Sequence, residues 1–173
     1  MRFAVPLLAL ILAACTPPAE APAPGATPEG ASEQTADAFV GHYVAISTTA
    51  TSITGDLDLA SNVLSFAKGF RVEGARIESG LTGDTDLSAG GGTIASGSGN
   101  TSVLSVELRH VDLVRVAADA PDPQLCGANT PVTHAIVAHG AETLSVLIFS
   151  GADAPGPNAH DSQLCGIFNY QPR

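Results

Sequence analysis

The sequence predicts an all-β domain, a small antiparallel barrel or sandwich of about eight strands. Apolar and polar residues alternate along several short stretches, which is typical of half-buried strands. Turns rich in glycine separate these stretches, and the chain has 18 glycines among its 173 residues. Many short strands joined by Gly-rich turns indicate closure into a barrel or packing of two sheets.

The first strands are predicted over residues 57–72, where "LDLAS", "VLSF" and "FRV" alternate apolar and polar side chains. Gly74 then interrupts the alternation. This interruption predicts a β-bulge, after which Ala75 and Ile77 would face the core.

Residues 88–100 ("SAGGGTIASGSGN") are predicted to form a long mobile loop. The next stretch, residues 104–116 ("LSVELRHVDLVRV"), alternates as a strand does, although Leu104, Leu108 and Val111 also fit one face of a helix. Its β-branched residues favour the strand.

The clearest hairpin is predicted for residues 132–150, where "VTHAIVAH" runs through a type II′ turn at Gly140-Ala141 into "TLSVLIFS". The run "VLIF" is apolar on both faces, so its strand should be central. A last strand over residues 164–170 carries Cys165.

The N-terminus has the organisation of a signal peptide. Met1-Arg2 is a short positive start, and residues 3–12 are apolar apart from a proline. Such a run is too short to cross a bilayer, which takes about 20 residues, but it fits the apolar region of a signal peptide.

Leu12-Ala13-Ala14-Cys15 follows this run and resembles the lipobox of bacterial lipoproteins. The resemblance implies a thioether-linked diacylglycerol on Cys15, cleavage before it and acylation of the new amino group, for example by palmitate. Two or more acyl chains anchor a protein stably in a membrane without spanning it. Thr16 stands where an inner-membrane retention signal usually has Asp, which implies the outer membrane, facing the periplasm, of a two-membrane bacterium.

The chain is therefore divided into three parts. Residues 1–14 are the predicted signal peptide, and residues 15–36 a lipid-anchored tether, rich in Pro and Ala, that is too poor in apolar residues to fold. Residues 37–173 are the predicted β-domain, in which residues 46–170 resemble small exported β-rich bacterial proteins of unassigned function.

The two cysteines outside the lipobox each lie in a "QLCG" sequence. With Cys15 acylated, Cys126 and Cys165 form an even pair in an oxidising compartment, which favours a disulfide. A free catalytic thiol and a metal site are the alternatives, but Cys-x-x-Cys spacing, typical of zinc and thioredoxin-like sites, does not occur.

The charge of the chain limits its partners. Lys and Arg number 7 against 17 Asp and Glu, so the net charge is −10. Because no basic cluster occurs, nucleic-acid binding is not expected, nor is a polybasic contact with anionic lipid. The predicted membrane contact is through the acyl chains on Cys15.

Two similar segments each place Asp residues two positions apart, beginning at Asp56 and Asp84. An EF-hand loop would need an acidic residue at Ala67 or Ala95, so neither segment fits that motif. We interpret these carboxylates as solvated, with a weak calcium site as the alternative.

The histidines give no metal motif. His134 and His139 are five residues apart and should lie on opposite faces of one strand. A site that combines His134 with His42, His110 or His160 is geometrically possible, but the spacing does not favour it. We expect neither a metal nor a cofactor.

The function predicted from these observations is non-enzymatic binding or interaction in the cell envelope, with a small ligand or an envelope protein as partner. No Gly-x-Ser-x-Gly nucleophile elbow occurs, and aromatic residues are only 5% of the chain. One alternative is an envelope hydrolase with a site on the loops at residues 88–100 and 151–162. The other is an inhibitor of an envelope-targeting enzyme, for which an acidic surface would suit a basic target.

Overall fold

The computed structural model describes residues 39–88, 91–101 and 103–173. The predicted signal peptide, Cys15 and the predicted tether lie outside these residues. The prediction of an all-β fold is confirmed, because ten antiparallel strands form one sheet in the order β5-β6-β8-β9-β10-β1-β2-β3-β4-β7. The strands are β1 (Gly41–Ala45), β2 (Leu57–Leu59), β3 (Val63–Phe66), β4 (Phe70–Glu73), β5 (Arg76–Leu81), β6 (Val103–His110), β7 (Leu113–Val116), β8 (His134–Gly140), β9 (Leu144–Ser150) and β10 (Gln163–Pro172).

The two end strands of this sheet continue strands in its interior. Only two residues separate β4 from β5, and only two separate β6 from β7. The pairing runs on through both breaks, with Val72 opposite Val114 before the bend and Arg76 opposite Arg109 after it. The ten segments therefore make eight longer strands, each paired with the next along the chain, and β10 returns to pair with β1. This ring of pairings is the topology of an antiparallel barrel.

The bend between β4 and β5 depends on Gly74. A Cβ atom at this position would lie 2.0 Å from the carbonyl oxygen of His110, so any side chain would force the two bent strands apart. The predicted β-bulge does not lie at Gly74, since the inward face continues in phase from Val72 to Arg76; the register shifts only beyond Arg76, within β5. The predicted inward face is also wrong: Ala75 and Ile77 are exposed, and the half-buried Arg76 takes the inward position.

The barrel interior is filled by the main apolar cluster, to which nearly every strand contributes. A second cluster covers the outer faces of β6, β8 and β9. In β9, Val146 and Ile148 belong to the main cluster, whereas Leu147 and Phe149 belong to the second. The prediction that this apolar run is central is confirmed, since every residue of β9 is buried.

The second cluster is covered by residues predicted to form a mobile loop. Residues 94–98 instead form a short helix, α1 (Ile94–Ser98), whose Ile94 is buried against the strands. The Thr93 hydroxyl accepts the backbone N–H of Ser96 and caps the helix. Gly97 permits close packing, because a Cβ there would lie 2.6 Å from the Leu87 side chain.

The second half of the chain forms the strands that its sequence predicts, with a small difference at the hairpin turn. Residues 103–110 and 113–116 form strands, so the helical alternative for residues 104–116 is wrong. The hairpin is confirmed, but its turn is centred on Ala141-Glu142, one residue later than predicted, and the Gly140 N–H donates to the Thr143 carbonyl at 2.7 Å. The last strand is confirmed as β10. Among the described residues, no helix has the length and apolarity needed to span a membrane.

Candidate binding groove

One edge of β7 has no partner strand within the described part of the chain. The bent strand formed by β6 and β7 pairs with β8 only as far as His110, and β7 beyond it pairs with β4 alone. The Ala117 N–H donates to the Gly69 carbonyl at 2.8 Å. Because backbone groups alternate in direction along an antiparallel strand, those of Val114 and Val116 point away from β4, towards the free edge.

The loop at residues 117–133 lies beside this free edge. Leu125 and Val132 are partly buried and pack against the main cluster, as does Cys126. Cys126 is disulfide-bonded to Cys165 in β10, with 4.8 Å between the Cα atoms. The predicted disulfide is therefore confirmed, and it ties the loop to the barrel wall as the sequence suggested.

Short-range bonds and unusual dihedral angles give this loop its shape. The Asp122 carboxylate accepts the backbone N–H of Gln124 at 3.0 Å, and the Gln124 carbonyl accepts the N–H of Gly127 at 2.8 Å. Gln124 and Asn129 have positive φ angles of 43° and 63°, which carry a cost for non-glycine residues. The surrounding structure must hold these conformations, and the disulfide is its covalent part.

Between β7 and this loop lies an open groove of about 480 Å³. Its apolar wall consists of Leu113 and Val114 on one side and Leu125 and Val132 on the other. Both titratable side chains of its lining are carboxylates. The groove is lined by Asp112, Leu113, Val114, Asp122, Pro123, Gln124, Leu125, Gly127, Asn129, Thr130, Pro131 and Val132. Apolar walls, a free strand edge and negative charge are the means of recognising an extended, positively charged ligand.

The barrel interior contains a buried ion network on β5 and β6. The Glu107 carboxylate accepts bonds from Arg76 and from Arg109, whose Nη2 lies 2.8 Å from Oε2. Glu107 and Arg109 are each 1% exposed. Arg109 also donates to the Ala60 carbonyl at 3.2 Å, which ties β6 to the turn between β2 and β3. The sequence prediction missed this network, because charged residues in an alternating strand were expected to face solvent.

The network is suited to holding the barrel together. Both guanidinium groups are bonded to the same carboxylate, and such charge-assisted hydrogen bonds offset part of the desolvation penalty of buried charges. Removing the shared carboxylate would leave two buried or half-buried cations together. We therefore assign Arg76, Glu107 and Arg109 a structural role.

Two of the histidines that were considered for a metal site lie next to each other. His110 and His134 are cross-strand neighbours with ring centroids 5.3 Å apart. Burial, together with the neighbouring His110, lowers the pKa of His134. His139 faces the other side of β8, where its ring contacts Phe39, so the predicted separation of His134 and His139 is confirmed. Within the described ranges, no group of three or more His, Cys, Asp or Glu residues is placed to hold a metal.

Asp56, which directly precedes β2, and Asp58 within β2 are both exposed. Leu57 and Leu59 are buried, whereas Asp58 is exposed and bonded to the exposed His42. The Asp56 carboxylate accepts the N–H of Ala45 at 3.0 Å. Each carboxylate thus has a local partner. At Asp84–Thr93 the corresponding feature is a single β-bridge between Asp86 and Thr93.

The two loops considered for a hydrolase use their polar groups internally. In residues 151–162, the Asp153 carboxylate accepts the backbone N–H groups of Asp161 and His160, and these bonds lower the pKa of Asp153. The Asp161 carboxylate accepts the N–H of Ala152. The other loop packs α1 over the second cluster. The hydrogen bonds shape the first loop, and the packing of the second loop covers the second cluster.

The sequence pointed to Cys126 and Cys165 but not to the groove beside them. Asp112 and Leu113 were placed within one continuous strand, and nothing in that pattern marks where β7 leaves β8. Comparison of the chain with protein-family models, with curated proteins and with solved structures gives no match.

Proposed function

We propose that this chain is a lipoprotein of the cell envelope, anchored through acyl chains on Cys15, whose β-domain binds another envelope molecule without catalysing a reaction. The binding surface is the groove between β7 and the disulfide-tied loop. An inhibitor of an envelope-targeting enzyme would be a narrower form of this function, since it too would act through one docking surface.

The observation that carries this proposal is the free edge of β7 beside an apolar wall. Exposed strand edges invite pairing with other chains, and proteins usually cover or charge them. Here the edge is flanked by a loop that is covalently tied back and leaves the groove open. Leu113, in this strand, is 40% exposed. A tied loop beside an open apolar edge supports binding as the function.

The anchor is tested with Cys15→Ser in the full chain, expressed in a two-membrane bacterium. The parent should partition into the detergent phase and sediment with outer membranes, and the variant should do neither. Cys165→Ser is the matched control, because it removes a cysteine without touching the lipobox. Detergent partitioning of Cys15→Ser like that of the parent would contradict the anchor.

The binding surface is tested by a photo-reactive residue at Leu113, with a second one at Ile77 as control. Ile77 is 51% exposed on β5 and does not line the groove. Irradiation of cells should give a discrete cross-linked adduct from position 113 and none of that size from position 77. If both positions give the same products, or position 113 gives none, the groove is not the binding surface.

A further inference from the structure

We propose that the groove takes an extended, lysine- or arginine-containing protein segment, which pairs with β7 as an added antiparallel or parallel strand. This inference rests on the proposed function and names the class of partner. Added strands bind through main-chain hydrogen bonds, and alternate side chains supply the specificity.

The backbone geometry provides the pairing. The N–H and C=O groups of Val114 and Val116 face the free edge, by the alternation that the Ala117–Gly69 bond fixes. Leu113 and Val114 of β7 line the groove, and Val116 continues the same free edge beyond this lining. The four residues of β7 span roughly 13 Å at about 3.3 Å per residue. A segment of four to six residues would cover this length. The apolar side chains of the opposite wall would then contact alternate residues of the segment.

The charge of the groove selects a cationic segment. Asp112 and Asp122 are the charged residues of its lining, and the chain as a whole carries −10. The neighbouring Arg115 donates from Nε to the Glu73 carboxylate at 2.9 Å, and Arg71 lies 3.8 Å from the same carboxylate oxygen, so these two cations share one anion on the outer face. Neither arginine lines the groove. Complementary charge steers association and disfavours partners of the same sign.

The same charges disfavour the other candidates for this groove. The predicted tether, residues 16–36, contains three glutamates and neither lysine nor arginine. A second copy pairing through β7 would bring the Asp112 and Asp122 carboxylates of both copies to one interface. A cationic segment of a different protein meets neither repulsion.

The probe is a fluorescent hexapeptide of alternating lysine and valine, titrated against the full folded chain by anisotropy. A glutamate–valine peptide is the control for charge. Two further lysine peptides carry N-methyl groups on odd or on even residues, which removes alternate N–H donors while the protein stays unchanged. On the protein side, Asp112→Asn with Asp122→Asn removes both charges, and the second substitution keeps a side-chain oxygen to accept the Gln124 N–H.

The lysine peptide should bind and the glutamate peptide should not. N-methylation in one register should abolish binding, and in the other it should have little effect, because only alternate N–H groups of an added strand face its neighbour. The double variant should bind roughly three- to tenfold more weakly, as expected for two exposed ion pairs.

Three results would overturn the inference. Lysine-peptide binding that is indifferent to N-methylation in both registers would mean a charge contact without strand pairing. A Leu113 adduct of twice the mass of the chain would identify a second copy as the occupant. A Leu113 adduct without peptide binding would leave the groove as a binding surface and reject the cationic strand as its ligand.

Discussion

The two sides of the barrel close in different ways. On the side of β8 and β9, strands are paired at both edges and buried on both faces, with α1 packed outside. On the side of β7, the strand has one partner among the described residues, three of its four residues are exposed and the neighbouring segment is an irregular loop. The first side is held by packing. The second is held by the Cys126–Cys165 disulfide and a few apolar contacts.

This difference indicates where the molecule can keep an open surface. A strand buried on both faces has no backbone or apolar area available to a partner. At β7, a covalent bond replaces the packing that a further strand would have supplied, so an edge can stay exposed without loss of the fold. The predictions below test whether the two sides are indeed held by these different means.

The largest loss of stability is expected on the packed side from Glu107→Gln. The substitution removes the shared negative charge and leaves Arg76 and Arg109 uncompensated beside each other. Breaking a buried ion pair by removing one partner typically costs about 3–5 kcal/mol. Chemical denaturation of the domain should show this loss as a lower midpoint. Glu78→Gln, on the exposed face of the neighbouring strand β5, should change stability by no more than about 0.5 kcal/mol. Equal, small effects of both substitutions would mean that the network contributes little.

The next effect is expected on the open side, from loss of the disulfide. The bridged cysteines are 39 residues apart, for which the chain-entropy model gives about 4 kcal/mol and measured losses run at about 2–5 kcal/mol. The variant with both Cys126→Ala and Cys165→Ala should melt roughly 10–15 °C below the parent. Reductant should lower the melting temperature of the parent and leave that of the variant unchanged.

Loss of the disulfide should affect the two sides of the barrel unequally. Native-state hydrogen exchange should speed up most in residues 117–133 and β7, while β8 and β9 keep the slowest amides. If β8 and β9 lost protection as much as β7 did, the disulfide would support the whole barrel equally, and the contrast between the sides would be wrong.

A smaller effect is expected from His134, where β8 begins. Burial and the nearby His110 lower the pKa of His134 below its ordinary value of about 6.5. The unfolded chain therefore binds this proton more readily than the folded chain. The contribution of the neutral His134 side chain to the free energy of unfolding is therefore fully present above about pH 6.5. It is lost as the pH falls towards the lowered pKa. His134→Phe should reduce the loss of stability between pH 7.5 and 5, measured by urea unfolding. A pH profile of His134→Phe identical to that of the parent would show that His134 does not cause the loss.

The fold could be predicted wherever a sequence pattern is compatible with a single local structure. Alternation indicated the strands, the doubly apolar run in β9 indicated its central position, and the odd number of cysteines led to the Cys126–Cys165 pair. The inward position of Arg76 was missed because Gly74 was interpreted as shifting the alternation, whereas the alternation continues from Val72 to Arg76. A charged side chain faces inward only where a partner such as Glu107 binds it. The groove could not be predicted, because the departure of β7 from β8 depends on the packing of the irregular loop between them and on its disulfide to Cys165, 39 residues away.

Strand addition at β7 is tested by hydrogen exchange of its amides with and without the lysine–valine hexapeptide, read residue by residue by NMR. We predict that the free-edge amides of Val114 and Val116 exchange fast in the free protein and slow down when the peptide is bound. The amide of Arg115, which points to β4, should change little. Unchanged exchange at Val114 and Val116 under saturating peptide, or slowing confined to β8 and β9, would contradict strand addition at this edge.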